Sequence, residues 1–151
     1  MTIFTLRAEF LKVEMTVSGM DCASCVTGLE AKLKRLRGVT TVEMKPERNL
    51  ISLQLLDGNT VRIERIRDEI KGIGYAPKDA KIQARGRALK EDGIWIFTLE
   101  GSNQRFTLSA LTETIEKQVA SGAIVTIEAL QPLSASPAVD PVLTIQSVSA
   151  N

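Results

Sequence analysis

Between Leu11 and Leu36 the apolar residues change period once, and nothing else constrains the fold as strongly. Leu11, Val13, Met15 and Val17 alternate with Lys12, Glu14, Thr16 and Ser18, as in a strand with one buried face. Val26, Leu29, Leu33 and Leu36 then recur at helical spacing. Between the two runs lies Gly19-Met20-Asp21-Cys22-Ala23-Ser24-Cys25, which holds both cysteines of the chain. A C-x-x-C alone fits a redox dithiol, half a zinc site or a metal loop. Its place adds chemistry: Cys22 falls in the loop and Cys25 in the first helical turn. There the unpaired backbone N–H groups and the helix dipole favour a thiolate. Two neighbouring thiolates are soft ligands suited to Cu(I), Zn(II) and related ions. A site that open can pass its ion to other thiolates by ligand exchange. The plainer readings are a structural disulfide, or a helix start that happens to carry cysteines.

Histidine is absent from all 151 residues. That removes Ser-His-Asp and Cys-His nucleophilic catalysis, histidine general bases and His-ligated zinc or iron sites. Two cysteines cannot build a four-cysteine zinc site within one chain. Any tighter coordination needs Asp21, a ligand from solution or a second molecule.

Residues 3–10 alternate weakly through Phe4, Leu6, Ala8 and Phe10, and the phase flips at Leu11. The flip predicts a bulge near Phe10–Leu11, or an extension leading into the first strand. Lys32, Lys34, Arg35 and Arg37 crowd the end of the first helix, with Gly38 as its stop. Thr40, Val42 and Met44 form a second strand, Pro46 to Asn49 a turn, and Ile51, Leu53 and Leu55 a third strand. After an Asp57-Gly58-Asn59 turn, Ile63, Ile66, Ile70 and Ile73 predict a second amphipathic helix ending at Gly72 and Gly74. Tyr75-Ala76-Pro77 leads to a fourth strand. The order βαββαβ is that of a ferredoxin-like α+β fold.

Gly19-Met20-x-Cys22-x-x-Cys25, following a strand and opening a helix, resembles the heavy-metal-associated domain. This family includes soft-metal chaperones, mercury-binding proteins and metal-exporting P-type ATPases, and the resemblance covers about the first half of the chain. It implies the same ferredoxin-like fold and one soft metal ion on Cys22 and Cys25: Cu(I), Zn(II), Cd(II) or Hg(II). It implies that Met20 packs in the core beneath the loop as an anchor. Gly74-Tyr75 matches a position where bacterial members carry an aromatic close to the loop; the alternative is a half-buried tyrosine ending a helix. Asp21 departs from the threonine common in copper and mercury members. A carboxylate there occurs in zinc-, cadmium- and lead-exporting ATPases, where it can join the thiolates, and a hard oxygen suits Zn(II) better than Cu(I). The plainer reading is an exposed loop aspartate.

From Lys78 the texture changes. Ala80–Leu89, Ile94–Leu99 and Arg105–Leu108 are strand-like, separated by turn residues at Glu91–Gly93 and Glu100–Asn103. Leu111, Ile115 and Val119 mark a helix with Ser109 as a plausible N-cap, ended by Gly122. Ala123–Glu128 and Val142–Val148 are further strands, on either side of a Pro/Ser/Ala loop from Pro132 to Pro141. Three strands, a helix and two strands is the order of a small OB-like β-barrel. The expected division is therefore 1–78, ferredoxin-like, and 79–151, OB-like, with the strand near Ala80 as a stiff junction. A nucleic-acid role would need stacking aromatics on a basic face. Only Trp95, Phe97 and Phe106 are available, and from Lys78 on the chain carries seven Lys and Arg against eight Asp and Glu. No nucleic acid is expected, and the aromatics belong in the barrel core.

The leading functional expectation is a non-enzymatic carrier or sensor of soft metal ions, with the barrel as an accessory for docking. A thiol-disulfide oxidoreductase using the same C-x-x-C is the enzymatic alternative, and an interaction module centred on the barrel is the third. The expected partner is a metal-transporting membrane protein or its metal-binding domain. Lys34 and Arg35 are the candidate docking residues, against a solvated helix end as the plainer account. The formal net charge is +1, and no apolar run approaches the ~20 residues of a spanning helix. The expectation is a soluble protein without membrane insertion, periplasmic or exported if Met1 replaces a removed leader and cytoplasmic otherwise.

Overall fold

Strand β1, Phe10–Ser18, keeps the alternation of its sequence: Val13, Met15 and Val17 are buried, and Thr16 and Ser18 exposed. It opens the computed structural model, which describes residues 10–20, 23–56, 59, 61–99, 104–132 and 141–150. The early alternation through Phe4, Leu6 and Ala8, Asp21 and Cys22, and the centres of three expected turns or loops (57–58, 100–103, 133–140) lie outside the described residues. So do the side chains of residues 23–25. A register shift between Phe10 and Lys12 sits where the phase flip predicts a bulge.

Helix α1, Ala23–Lys34, buries Val26, Leu29 and Leu33. Its last turn gives way at Arg35, before Gly38, and the chain turns into β2, Val39–Lys45. A 3-10 turn over Pro46–Arg48 leads to β3, Leu50–Leu55. Helix α2, Ile63–Ile73, buries Ile63, Ile66 and Ile70 and is capped by Gly74. Each of those isoleucines is worth about 1.5–3 kcal/mol of transfer free energy. Strand β4, Ala76–Glu91, closes the unit. The antiparallel order β2-β3-β1-β4 is the ferredoxin-like arrangement, with α1 and α2 sharing one core with Val13, Met15 and Val17.

β4 does not stop there. Its 16 residues run from just after Tyr75 through the strand near Ala80 that the sequence marks as a junction between the halves. The boundary expected between residues 78 and 79 falls inside it. Ala80–Ala84 pair with β1 on one edge and with β7, Val125–Gln131, on the other. Farther on, Arg87–Glu91 pair with β5, Ile94–Thr98. β6 spans Arg105–Ser109 and β8 Val142–Ala150. The order β4-β5-β6-β8-β7 returns to β4, so five strands close a barrel in which only β6 and β8 run parallel.

Gly86 makes the turn into the barrel possible. A Cβ there would lie 2.5 Å from the Thr98 carbonyl oxygen and 2.7 Å from the Phe97 ring, closer than any real side chain sits. Phe97 and Phe106 are buried in the barrel as expected, and Trp95 is half-buried beneath the Lys90 ammonium, 5.9 Å from its ring centroid.

Helix α3, Glu113–Val119, lies between β6 and β7. Its N-cap is Thr112, whose hydroxyl accepts from the Ile115 N–H at 3.3 Å, and not Ser109. Ser109 is the last residue of β6 and pairs with Thr144. The chain then needs Ala110, at φ +62°, to leave the sheet before a helix can start.

The sheet's other face is polar. Lys12 and Glu14, on one side of β1, form an ion pair at 2.9 Å. Their hydrogen bond holds the Glu14 carboxyl below its ordinary pKa and raises that of Lys12.

Candidate metal centre

At the end of β1, Gly19 takes φ +101°, a left-handed conformation open to glycine and strained for other residues. The turn sends Met20 inward, where it is 3% exposed in the common core. Met20 is thus buried just past the end of β1. Ala23 then begins α1, which puts Cys25 third in the helix, among the backbone N–H groups that lack helical partners. Cys22 and Asp21 belong to the connection itself and lie outside the described residues.

Three strands and a helix end at this pole. Ser18 pairs with Ala76 and Val17 with Pro77, so the start of β4 flanks the end of β1. The Val17 N–H donates to the Asn49 carbonyl at 2.8 Å, which fixes the turn before β3 beside it. Tyr75 follows the cap of α2, and its half-buried ring covers Gly19. A Cβ on Gly19 would lie 3.1 Å from the Tyr75 Cδ1. Tyr75 is thus half-buried just past the end of α2, with its ring against Gly19.

The basic cluster is elsewhere. At about 1.5 Å per helical residue, Arg35 lies roughly 15 Å along the axis from Cys25. Lys34 pairs with Glu30 at 3.0 Å, and Lys32 with Glu69 of α2 at 3.4 Å. Within α1 itself Glu30 is the only acid. The packing of α2 against α1 adds Glu69, a tertiary neighbour that helix spacing cannot reveal. Arg35 and Arg37 are exposed at the following turn.

Sequence reasoning passes over Arg67. It stands four residues after Ile63 and three before Ile70, on the buried stripe of α2, and is 7% exposed. Its Nη2 donates to the carbonyls of Lys78 in β4 and Gln131 in β7, both at 3.0 Å. Burial lowers the guanidinium from its ordinary value, opposed by the charges of Glu64 and Asp79. A cation at an apolar position of a helical stripe is the signal that could have found it.

The family model of the heavy-metal-associated domain matches residues 14–76. Copper chaperone CopZ of Staphylococcus aureus is 33% identical over 61 residues, 40% of this chain and 88% of that protein. Human Copper-transporting ATPase 2 is 26% identical over 118 residues, 78% of this chain. The alignment spans only 8% of that ATPase's length. Among solved structures, a CopZ metallochaperone superposes with a TM-score of 0.41 at 29% identity, over 44% of this chain and 97% of its own.

Proposed function

The chain belongs to the heavy-metal-associated domain family through residues 14–76, and on that premise we propose that it binds one soft metal ion on Cys22 and Cys25 and passes it to another protein. The observation that carries this reading is the position of the C-x-x-C. In sequence it lies between β1 and the first turn of α1, directly after Met20, which is buried in the core, and close to Gly19, which the Tyr75 ring covers. Binding releases the thiol protons, and the helix N-terminus offsets the charge that remains. Transfer proceeds by ligand exchange: an incoming thiolate displaces one cysteine, then the other. The protein acts as a carrier and needs no catalytic residues of its own.

Copper(I) is the proposed cargo, supported by the names of the relatives, copper chaperones and a copper-transporting ATPase. Asp21 supports a second reading, in which its carboxylate completes a Zn(II) or Cd(II) site. The proposed acceptor is the metal-binding domain of a metal-transporting ATPase, with Arg35 and Lys34 as docking residues. Residues 79–151 are proposed to form an OB-like barrel, a reading supported by the five-strand ring with its parallel β6–β8 pair. No helix among the described residues is long and apolar enough to cross a membrane.

Anaerobic titration of the reduced protein with Cu(I), Zn(II), Cd(II) and Hg(II) tests the reading. One ion per chain is expected, lost in the Cys22→Ser/Cys25→Ser variant while the fold persists. Retained affinity in that variant would overturn the site. A thiol-disulfide oxidoreductase would instead turn over disulfide substrates without metal.

A further inference from the structure

We propose that Arg67 is a positioning residue that ties the dithiolate loop to the barrel, so that ion binding at one and docking of β7 at the other are coupled. The inference rests on the metal-site reading above. Its basis is an uneconomical choice at one position. An isoleucine or leucine at residue 67 would satisfy the stripe of α2, whereas a guanidinium there must be desolvated. What the arginine adds is reach. A single Nη2 holds the Lys78 and Gln131 carbonyls, each at 3.0 Å, and so joins α2, the start of β4 and the end of β7. Both acceptors are neutral carbonyls, so the contact is one of geometry rather than charge neutralisation.

Each end of this clamp leads somewhere. Lys78 adjoins Pro77, which pairs with Val17, and Ala76 pairs with Ser18. Gly19 comes next, under the ring of Tyr75. A shift of the Lys78 carbonyl therefore moves the strand that flanks the loop. On the other side, Gln131 is the last residue of β7 and pairs with Ala80. Among the described residues, Arg67 Nε and Gln131 Oε1 are both buried without a hydrogen-bond partner. In a low-dielectric interior an unpaired polar group is costly, so such a network is sensitive to shifts of the elements it joins. Coupling of this kind is reciprocal, so the ion must tighten β7 by as much as β7 tightens the ion.

The test uses the full chain at a temperature where every variant is folded, with Cu(I) as the probe. Arg67→Met should weaken Cu(I) binding about tenfold in competition with a chelator, within the usual range of coupling. Arg67→Lys, which keeps a donor that can reach one carbonyl, should retain most of the affinity. Cu(I) should slow hydrogen exchange at the amides of residues 127–131 in the wild type and leave them unchanged in Arg67→Met. A metal-free measurement, the alkylation rate of the two cysteines at fixed pH, should rise in Arg67→Met and stay near wild type in Arg67→Lys. If Arg67→Met lowers thermal stability alone, with affinity, exchange and alkylation as in the wild type, the coupling is wrong and Arg67 is only structural. If the wild type binds no Cu(I) but alkylation still responds to Arg67→Met, the metal reading fails and the positioning role stands.

Discussion

Phe10 of β1 and Phe106 of β6 meet edge to face, with ring centroids 5.8 Å apart and planes inclined by 71°. Both rings are 1% exposed. The contact joins a strand of the ferredoxin-like sheet to a strand of the barrel, so the two halves share one core. Edge-to-face pairs add about 0.5–1.5 kcal/mol beyond area burial.

Phe106→Ala should therefore cost about 3–5 kcal/mol and lower one unfolding transition common to both halves. Denaturant curves followed by Trp95 fluorescence, for the barrel, and by far-UV circular dichroism, for the whole chain, should coincide. A chain cut after Lys78 lacks Ala80, Ile82 and Ala84, all buried against β1 and its neighbours. It should be largely unfolded at 25 °C, whereas a fragment reaching Glu91 should recover helical signal. Two separate transitions in the intact chain would contradict the shared core.

Acid should reveal the Lys12–Glu14 pair. The Lys12 hydrogen bond keeps the Glu14 carboxyl below its ordinary value, so the folded state takes up that proton less readily than the unfolded chain. Its stabilisation is complete above about pH 4.5 and is lost as pH falls through the lower folded value. Glu14→Gln should cost up to about 1 kcal/mol at pH 7, and the gap to wild type should close in urea titrations as pH falls through the lowered folded value. Lys12 fades at the other end, because its raised pKa confines its contribution to pH values below the folded one.

Asp21→Thr separates the two cargo readings. If the carboxylate is a ligand, the variant should lose Zn(II) and Cd(II) affinity far more than Cu(I) affinity in competition titrations. An equal effect on all ions would show an aspartate that merely occupies the loop.

Docking through the end of α1 makes an asymmetric prediction. Lys34 is already paired with Glu30 at 3.0 Å, and Arg35 is exposed, so Arg35→Glu should slow metal transfer more than Lys34→Glu. Transfer to an acceptor with an acidic face should also slow as salt rises, since exposed charges are screened beyond ~10 Å at 0.1 M. Rates indifferent to salt and to both reversals would leave the cluster as ordinary surface.

What the sequence could and could not reveal follows from the range of each interaction. β1, α1 and α2 were legible because Val13, Met15 and Val17 and the isoleucines of α2 are large residues repeating within one element. The junction strand near Ala80 was legible too, but its full length was not, because its inward residues Ala80, Ala84, Gly86 and Ala88 are small and give alternation little contrast. Thr112 displaced Ser109 as a cap because β6 ran on to claim Ser109 for pairing with Thr144. At the candidate site, the motif singled out Met20 and Tyr75, whereas the Lys32–Glu69 pair and the carbonyls around Arg67 depend on contacts between elements.

β4 also sets what changes of length this protein can tolerate. A linker between two units absorbs insertions and deletions freely, but here the junction is itself a strand with a side-chain period of two. Ala80, Ile82 and Ala84 point toward the core shared with β1, and Ala88 toward the barrel. One residue inserted between Ala84 and Ala88 would leave the first set in place and turn the second outward, exchanging Ala88 for a charged neighbour. Only changes that preserve the period are neutral to both cores, so the family unit cannot be exchanged for a relative without carrying over the phase of its last strand.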